Sequence, residues 1–343
     1  MTTFKVGIVG CGSIAVHRHL PEYHANKHAE IAGIFDPNKD RAQAMADQYG
    51  ARAYTTVEEL LESDVDIISV CAPNVHHASI SIAALDAGKH VLCEKPMAAS
   101  VEEAEAMIDA EKRTGKTLMI AHNQRFVPSH VKARELIKNG EIGAIYSVRT
   151  TFGHGGPEGW SADGKDSWFF DQSKAIVGAL GDLGVHKADL VRFLLGEEIA
   201  EVSAFTSNLS KPHGNVEDNA LCILQSETGK LISLSASWSY RAAEDNSTII
   251  YGEKGMIRCE DDPEHSLIID RVDGETEALQ LGEIQTNDSQ GNSGVIDAFI
   301  HSLATGDTPP VTGTDGLRSL EIILAALQSS KEKRTISITK ERV

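Results

Sequence analysis

The chain has 343 residues, 41% of them hydrophobic, which is enough to fill two cores of ordinary size. Its formal net charge of −18 argues against a nucleic acid or an anionic membrane surface as partner, because either would need a concentrated basic face. The first residues have no features of a secretory signal and no apolar run is long enough to span a membrane, so we expect a cytoplasmic protein.

The first third of the chain alternates strand patterns with helix patterns. The predicted strands are Phe4–Val9, Glu30–Phe35, Ile67–Cys71, His90–Cys93 and Thr117–Ala121. Between them lie helical patterns, namely one that ends near Asn26, Arg41–Tyr49, Ser79–Ala87 and Val101–Thr114. This alternation predicts a parallel sheet with helices on both faces.

Beyond about residue 125 the pattern changes. Helical periods at His130–Asn139 and Gly181–Leu195 enclose a strand, Ile145–Phe152, and a glycine-rich loop at 153–164. Strand-like segments then follow at Glu201–Asn208, Ala220–Gln225, Lys230–Trp238, Ser247–Tyr251 and Gly255–Arg258. Because short turns join these segments, we predict an antiparallel sheet, and we expect two domains, at 1–123 and 124–343.

The second sheet is predicted to have an exposed apolar face. Leu231, Leu234 and Trp238 are expected to lie on it. An exposed face of that size needs cover, which predicts a homo-oligomer with a dimer as the minimum.

The cysteines bear on the compartment and on metal binding. Five are present, an odd number, and no C-x-x-C pair occurs. This usage is typical of a reducing cytoplasm and opposes a structural zinc site, so no metal is predicted.

Residues 10–15, Gly-Cys-Gly-Ser-Ile-Ala, join the first predicted strand to the first helix. Gly10 permits a tight turn, and Gly12 lets the backbone approach a pyrophosphate. Ser13 and Ile14 open a helix whose free N–H groups would face the phosphates. Asp36, at the end of the second strand, can accept hydrogen bonds from ribose hydroxyls. Together they predict a dinucleotide site.

The same aspartate bears on the choice of cofactor. Asp36 favours NAD, because its carboxylate would repel the 2′-phosphate of NADP. Lys39 and Arg41 lie close in sequence and could relax this discrimination, so NADP is kept as the alternative cofactor.

Five further motifs occur in a defined order, at Ala72–His77, Gly88–Pro96, Asn123–Phe126, Gly181–His186 and Pro310–Gly316. With the glycine loop, they resemble motifs of the glucose–fructose oxidoreductase and inositol dehydrogenase (Gfo/Idh/MocA) family over essentially the whole chain. The resemblance implies an α/β fold with an N-terminal Rossmann domain, in which the parallel sheet is doubly wound. It also implies a C-terminal α/β domain with a large, mainly antiparallel, open-faced sheet, and homodimers or homotetramers formed through that sheet.

Oxidation of an alcohol requires a hydride acceptor and a base, and an unperturbed histidine titrates near neutrality. Asp182 and His186 are four residues apart in a helical pattern, so they share a face. We expect His186 to take the hydroxyl proton, Asp182 to orient the imidazole or bind a substrate hydroxyl, and Lys95 to stabilise the developing alkoxide. The family resemblance assigns the same three positions to catalysis. In the rival hypothesis, Lys95 is the base and His186 only binds substrate.

Other candidates follow from the motifs and the glycine-rich loop. Cofactor contacts are predicted for Pro73, Asn74, His77, Glu94 and Lys95, although Glu94 could instead anchor its own loop. Substrate contacts are predicted for Lys95, Asn123, Arg125, His154, Trp160, Trp168, Asp182 and His186. Arg125 lies either near the cleft or in a structural ion pair, and the tryptophans either stack on a sugar or pack in the core.

These residues predict an NAD-dependent oxidoreductase that transfers a hydride between a sugar, polyol or inositol-type secondary alcohol and the nicotinamide. Two alternatives are an NAD-dependent glycosidase, which the resemblance also allows, and a non-catalytic dinucleotide-binding regulator. The intact Lys95, Asp182 and His186 argue against a regulator, because a sensor needs no proton acceptor.

Overall fold

The computed structural model describes residues 3–282 and 292–338. The strands are β1 (Phe4–Val9), β2 (Ala29–Phe35), β3 (Arg52–Ala53), β4 (Ile67–Val70), β5 (His90–Cys93), β6 (Leu118–Ile120), β7 (Ile145–Gly153), β8 (Ile199–Ser207), β9 (Asn219–Ser226), β10 (Leu231–Ser237), β11 (Thr248–Gly252), β12 (Gly255–Cys259), β13 (Leu267–Arg271), β14 (Thr276–Leu279) and β15 (Ile336–Ser337). The α-helices are α1 (Leu20–Ala25), α2 (Lys39–Tyr49), α3 (Val57–Leu61), α4 (His77–Asp86), α5 (Val101–Thr114), α6 (Pro128–Lys138), α7 (Gln172–Ala175), α8 (Val185–Leu195), α9 (Val295–Thr305) and α10 (Gly313–Glu332). Two π-helical segments, Ala15–His19 and Leu180–Gly184, precede α1 and α8.

The first six strands form a parallel sheet in the order β3-β2-β1-β4-β5-β6. All four residues of β4 are buried, which explains why its sequence does not alternate between apolar and polar residues; its one polar residue, Ser69, is paired with His19. The strand order reverses between β1 and β4. A crevice therefore opens at the carboxyl ends of these two strands, where open α/β sheets bind their ligands.

The other nine strands form a second sheet in the order β14-β13-β12-β11-β7-β10-β9-β8-β15. Neighbouring strands are antiparallel except β7 and β10, which are parallel. Helices α8 and α10 pack against this sheet. The architecture confirms the predicted fold class, a doubly wound parallel sheet followed by a large, mainly antiparallel one.

The exposed face of the second sheet differs from the prediction. Leu231 is 52% exposed, whereas Leu234 and Trp238 are buried. Side chains alternate along a strand, so residues 231 and 234, three apart, must point to opposite faces. The exposed apolar residues of β8 and β9 are instead Phe205, Leu221 and Ile223, and Phe205 lies opposite Leu221 in the register.

Helix α10 joins the two sheets. Its N-terminus is a capping box, in which the Thr312 hydroxyl accepts from the Asp315 N–H at 3.2 Å and the Asp315 carboxylate accepts from the Thr312 N–H at 2.9 Å. The helix packs on α5, on strand β6 of the first sheet and on strand β8 of the second sheet. A Cβ on Gly316 would lie 2.8 Å from the side chains of Ile120 and Met97. Glycine is therefore needed where α10 meets the first sheet.

None of the helices within residues 3–282 and 292–338 has both the length and the apolar character needed to cross a membrane.

Candidate active site

A cleft of about 500 Å³ opens between the carboxyl edge of the first sheet and the second sheet. The predicted site residues that line it are Gly10, Gly12, Ser13, Ile14, Asp36, Pro73, Asn74, His77, Glu94, Lys95, Asn123, Trp160, Trp168, Asp182 and His186. Two others, Arg125 and His154, do not line it, although both belong to the described part of the chain. The fold thus brings together most of the residues that the motifs single out.

The glycine loop after β1 has space for a phosphate group. Gly10 has a φ of +95°, and a Cβ there would lie 2.6 Å from the Cys71 carbonyl oxygen, so only glycine fits. A Cβ on Gly12 would have no atom within 4 Å, which leaves its backbone accessible. This accessible backbone at the start of a helix fits the pyrophosphate of a dinucleotide.

Asp36 is fixed at the end of β2. One carboxylate oxygen accepts from the Cys11 N–H at 2.7 Å and the other from the Asn38 N–H at 2.8 Å. Arg41 also lines the cleft, but its guanidinium donates to Asp163 at 2.8 Å. Of the two cations that could attract a 2′-phosphate, Arg41 is therefore already paired, and the Asp36 carboxylate lines the cleft.

Glu94 anchors the loop after β5. Its carboxylate accepts from His19 Nε2 at 2.9 Å and from the Lys95 N–H at 3.2 Å, while Ser69 Oγ lies 2.7 Å from His19 Nδ1. Burial alone would raise the pKa of Glu94, but the bond and charge of His19, with Lys95 and Arg18, lower it to about 2. Of the two alternatives for Glu94, this geometry favours the anchoring role, although the residue also lines the cleft.

Asn74 and His77 brace neighbouring loops. The Asn74 amide donates to the Ala175 carbonyl at 2.8 Å. The ring nitrogens of His77 lie 2.7 Å from the carbonyls of Pro96 and Ala72, and burial lowers its pKa. The Asn74 amide nitrogen and both ring nitrogens of His77 thus hold the cleft wall in shape.

Lys95, Asp182 and Trp238 form a hydrogen-bonded cluster at the end of the cleft where the sequence predicts catalysis. Lys95 Nζ donates to the Asp182 carbonyl at 2.9 Å and to Oδ1 of its carboxylate at 3.3 Å. The Trp238 indole donates to Asp182 Oδ2 at 3.0 Å. Both carboxylate oxygens of Asp182 are thus engaged. The two bonds from Lys95 hold its ammonium group in the cleft, and the bond from Trp238 holds the carboxylate.

His186 lies in the first turn of α8, beside this cluster. Its Nδ1 is enclosed and has no hydrogen-bond partner within the described residues. Burial, reinforced by the charge of Lys95, lowers its pKa well below 6.5. The imidazole is therefore neutral at pH 7 and able to accept a proton.

The predicted orienting contact between Asp182 and His186 is wrong. No hydrogen bond joins the two residues in the described structure, because the Asp182 carboxylate is taken by Lys95 and Trp238. The π-helical turn at Leu180–Gly184 also alters the spacing that an α-helical pattern implies. The alternative, in which Asp182 binds a substrate hydroxyl, is compatible with its position on the cleft wall.

His154 stands behind Asp182, outside the cleft lining. Its Nδ1 accepts from the Gly156 N–H at 3.0 Å, so Nε2 carries the proton of the neutral ring. This Nε2 lies 4.0 Å from Asp182 Oδ2. The predicted direct contact of His154 with substrate is therefore replaced by a position next to Asp182.

Trp160 and Trp168 both line the cleft and both pack on Phe169. Trp168 stacks on it with ring centroids 4.0 Å apart, and Trp160 meets it edge-on at 5.0 Å. Asn123 also lines the cleft, and its buried Oδ1 has no hydrogen-bond partner within the described residues. All three side chains line the cleft, and their contacts with a substrate stay predictions.

Arg125 is a structural residue, and its predicted substrate contact is wrong. Its Nε and Nη2 each donate to the Asp189 carboxylate at 2.7 Å, and Nη2 also donates to Asp315 at 2.9 Å. This bidentate pair links the junction after β6 to α8 and α10.

The cleft residues that the motifs miss include Arg18, Phe152 and Asn246. Asn246 Oδ1 accepts from Gln124 Nε2 at 3.0 Å, and its carbonyl accepts from the buried Lys187 Nζ at 2.8 Å. Arg18, four residues after Ile14, carries a helical-spacing signal that could have found it. Asn246 has no such signal, because its partners come from distant elements.

Glu217 holds the segment that leads into Asp182. Its carboxylate accepts from the N–H groups of Gly178 and Leu180, each at 2.9 Å, and its carbonyl accepts from the Ala179 N–H at 2.9 Å. Burial raises the pKa of this carboxyl to about 7. Glu217, in the loop before β9, thus holds three successive N–H groups at the start of the π-helical turn that contains Asp182.

Comparisons with known proteins match this arrangement. The profile of an oxidoreductase family with an NAD-binding Rossmann fold, Gfo/Idh/MocA, matches residues 4–122, and that of the Gfo/Idh/MocA C-terminal domain matches residues 130–258. Inositol 2-dehydrogenase of Rhizobium meliloti is 30% identical over 339 residues, which cover 98% of this chain and 99% of that protein. Myo-inositol 2-dehydrogenase of Thermotoga maritima is 27% identical over 340 residues, covering 97% and 98%. Among solved structures, levoglucosan dehydrogenase in complex with NADH and levoglucosan superposes with a TM-score of 0.86 at 26% identity, covering 99% of this chain and 100% of that one.

Proposed function

Because the chain belongs to the Gfo/Idh/MocA family of NAD-binding oxidoreductases, we propose that it is an NAD-dependent dehydrogenase of sugar, polyol or inositol-type secondary alcohols. The observation that carries the proposal is the Lys95–Asp182 pair beside His186, in the same cleft as the glycine loop. The names of the relatives, inositol and levoglucosan dehydrogenases, support a ring-bearing alcohol as substrate.

The cofactor is proposed to lie along the carboxyl edge of the first sheet. Residues Gly10–Ile14 would hold its pyrophosphate and Asp36 its adenosine ribose, while Pro73, Asn74 and His77 form the wall beyond. Bound NAD⁺ supplies the hydride acceptor.

His186 is proposed as the base. Since its Nδ1 is enclosed, Nε2 is the ring nitrogen that would take the hydroxyl proton. Lys95 uses two of its three N–H donors on Asp182, which leaves one for the substrate oxygen as negative charge develops. Asp182 and Trp238 act by holding this ammonium group in place.

The test is NADH formation, followed at 340 nm, over a panel of inositols, aldoses and levoglucosan. We expect NADH with at least one ring alcohol and no release from p-nitrophenyl glycosides. NAD-dependent release of p-nitrophenol without net NADH would instead identify a glycosidase. A protein that binds NAD but turns over neither class would contradict the proposed activity.

The protein is also proposed to form a homodimer or homotetramer through the open face of the second sheet. Phe205 is 81% exposed and Leu221 is 65% exposed, and they lie side by side on that face. We expect at least a dimeric mass in light scattering, reduced to a monomer by F205E combined with L221E. The matched control V272E replaces an exposed apolar residue after β13 and should not change the mass. A wild-type monomer at micromolar concentration would contradict the proposal.

A reducing compartment, the cytoplasm, is proposed from the cysteines. All five are buried free thiols, which is typical of proteins that are not exposed to oxidising conditions. Cell fractionation should recover the full chain with the cytoplasmic fraction, and recovery in an oxidising compartment would contradict this.

A further inference from the structure

Arg18 presents an unpaired guanidinium to the cleft. It lies in the π-helical segment Ala15–His19, lines the cleft and is only 7% exposed. Its Nε has no hydrogen-bond partner, and the guanidinium forms no hydrogen bond or ion pair within residues 3–282 and 292–338. A buried Nε–H without a partner on a largely buried guanidinium is costly, and an oxygen-rich ligand would relieve that cost.

The carboxylates near Arg18 are already engaged. Glu94 accepts from His19 and from the Lys95 N–H. Glu22 accepts from the N–H of Ser293 at 2.8 Å and from its hydroxyl at 3.0 Å. Both carboxylates act on the Arg18 charge through space, yet neither gives the guanidinium a hydrogen bond.

Arg18 belongs to the catalytic end of the cleft. A pyrophosphate would be held by the N–H groups at Gly12–Ile14, and Arg18 lies four residues further along the chain. Its charge acts on Glu94 and on His186, the residues around the proposed reacting carbon. Because Arg18 lines the same cleft as Lys95 and His186, its donors are assigned to the substrate end rather than to the adenosine half of the cofactor.

We infer that Arg18 binds an oxyanion on the substrate, so that the preferred alcohol also carries a carboxylate or a phosphate group. This inference rests on the proposed dehydrogenase function, because it assigns the Arg18 end of the cleft to the alcohol. A guanidinium is suited to both groups, since its planar fork donates two parallel hydrogen bonds to a carboxylate or phosphate.

The experiment uses the full chain saturated with NADH, which forms a non-reacting complex with an alcohol. D-glucose, D-glucuronate and D-glucose 6-phosphate are titrated by calorimetry. We expect at least one of the two anions to bind roughly 10- to 100-fold more tightly than D-glucose, the range for a charge-assisted hydrogen bond. A glucuronate preference identifies a carboxylate, and a preference for glucose 6-phosphate identifies a phosphate.

Variants separate a substrate site from a cofactor site. R18M should remove the preference for the anion and leave NADH affinity within about threefold, whereas R18K should retain part of the preference. The control R113M replaces a surface arginine paired with Asp86 and should retain all of it. The comparison of anion with glucose needs only the wild-type protein, so it stands even if R18M does not fold.

Two results would overturn the inference. One is that neither anion binds more tightly than D-glucose to the wild-type complex. The other is that R18M loses NADH affinity while the preference persists, which would assign Arg18 to the cofactor. Failure of the proposed activity is distinguishable, because it would appear as no NADH from any alcohol while the preference for the anion and its loss in R18M remain.

Discussion

The two ends of the cleft are built in different ways. The cofactor end is formed by one contiguous loop, Gly10–Ile14, and by Asp36 at the end of the next strand. The catalytic end gathers Lys95, Asp182 and Trp238 from three distant parts of the chain. The first depends on local backbone geometry, so its changes should alter cofactor affinity and choice. The second depends on tertiary packing, so its changes should fall on the rate.

The largest effect is expected at the catalytic end. H186N should lower kcat/KM for oxidation by on the order of 10² to 10⁴, the usual contribution of a placed base. Burial lowers the pKa of His186 well below 6.5. Wild-type kcat/KM should therefore decline only when the pH falls well below 6.5. An unperturbed histidine, as the sequence alone predicts, would give a decline near neutrality. H186N should lack this acidic limb in a pH profile.

Lys95 provides the control for that assignment. K95M should also lower kcat by orders of magnitude, with NAD affinity retained, because its loss falls on the developing alkoxide. If the acidic limb persists in H186N and disappears in K95M, the two roles are exchanged.

A smaller effect is expected at the cofactor end. D36S should lower kcat/KM with NAD and raise it with NADP, changing their ratio by roughly 10- to 100-fold, because one charged hydrogen-bonding group is removed. Kinetics with both cofactors measure this ratio. D40S replaces an exposed aspartate on α2 and should leave it unchanged. A wild-type enzyme that prefers NADP would refute the interpretation of Asp36.

The contrast between the two ends also explains what the sequence could predict. The strand and helix periods, the glycine loop and the ordered motifs are local, and the fold class, the family resemblance and the NAD cofactor that they predict are confirmed. The sequence does not decide the role of Arg125, because its partners, Asp189 and Asp315, are 64 and 190 residues away. The prediction that Trp238 shares an exposed sheet face with Leu231 is wrong, because residues seven apart on a strand point to opposite faces; Trp238 is buried and donates to Asp182.

Two other features of the site escape local patterns for the same reason. The π-helical turns at Ala15–His19 and Leu180–Gly184 have the sequence pattern of an ordinary α-helix, so the sequence predicts the wrong relation between Asp182 and His186. The three hydrogen bonds that Glu217 accepts from the segment at 178–180 join elements that are far apart in sequence. No local pattern indicates that a glutamate there supports catalysis.

Glu217 is expected to act as a positioning residue, with a moderate effect. A glutamine oxygen can replace only one of the two acceptors that Gly178 and Leu180 use, so E217Q should shift the turn that holds Asp182. We expect kcat to fall roughly tenfold with little change in NAD affinity, since small misplacements of catalytic groups cost rate. E227Q, in the turn after β9, is the control. A loss of thermal stability with unchanged kcat in the folded fraction would show a merely structural role.

The smallest effect is expected in stability, behind the catalytic end. Lys187 is fully buried, with Nζ donating to the Asn246 carbonyl at 2.8 Å and to Thr248 Oγ1 at 3.3 Å, and burial lowers its pKa from 10.5 to about 7. Between these values the unfolded chain holds a proton on Lys187 that the folded chain has released, so raising the pH favours the folded state. The stabilisation should be complete above pH 10.5 and should diminish as the pH falls toward 7. The free energy of unfolding of wild type relative to K187M, from urea titrations at pH 7.5, 8.5 and 9.5, should therefore rise by on the order of 1 kcal/mol per pH unit.

K112M, which replaces an exposed lysine on α5, should follow wild type in parallel. A wild-type advantage over K187M that is independent of pH would mean that Lys187 keeps its charge when folded, and the region behind Asn246 would then have to be treated as a charged environment rather than an apolar one.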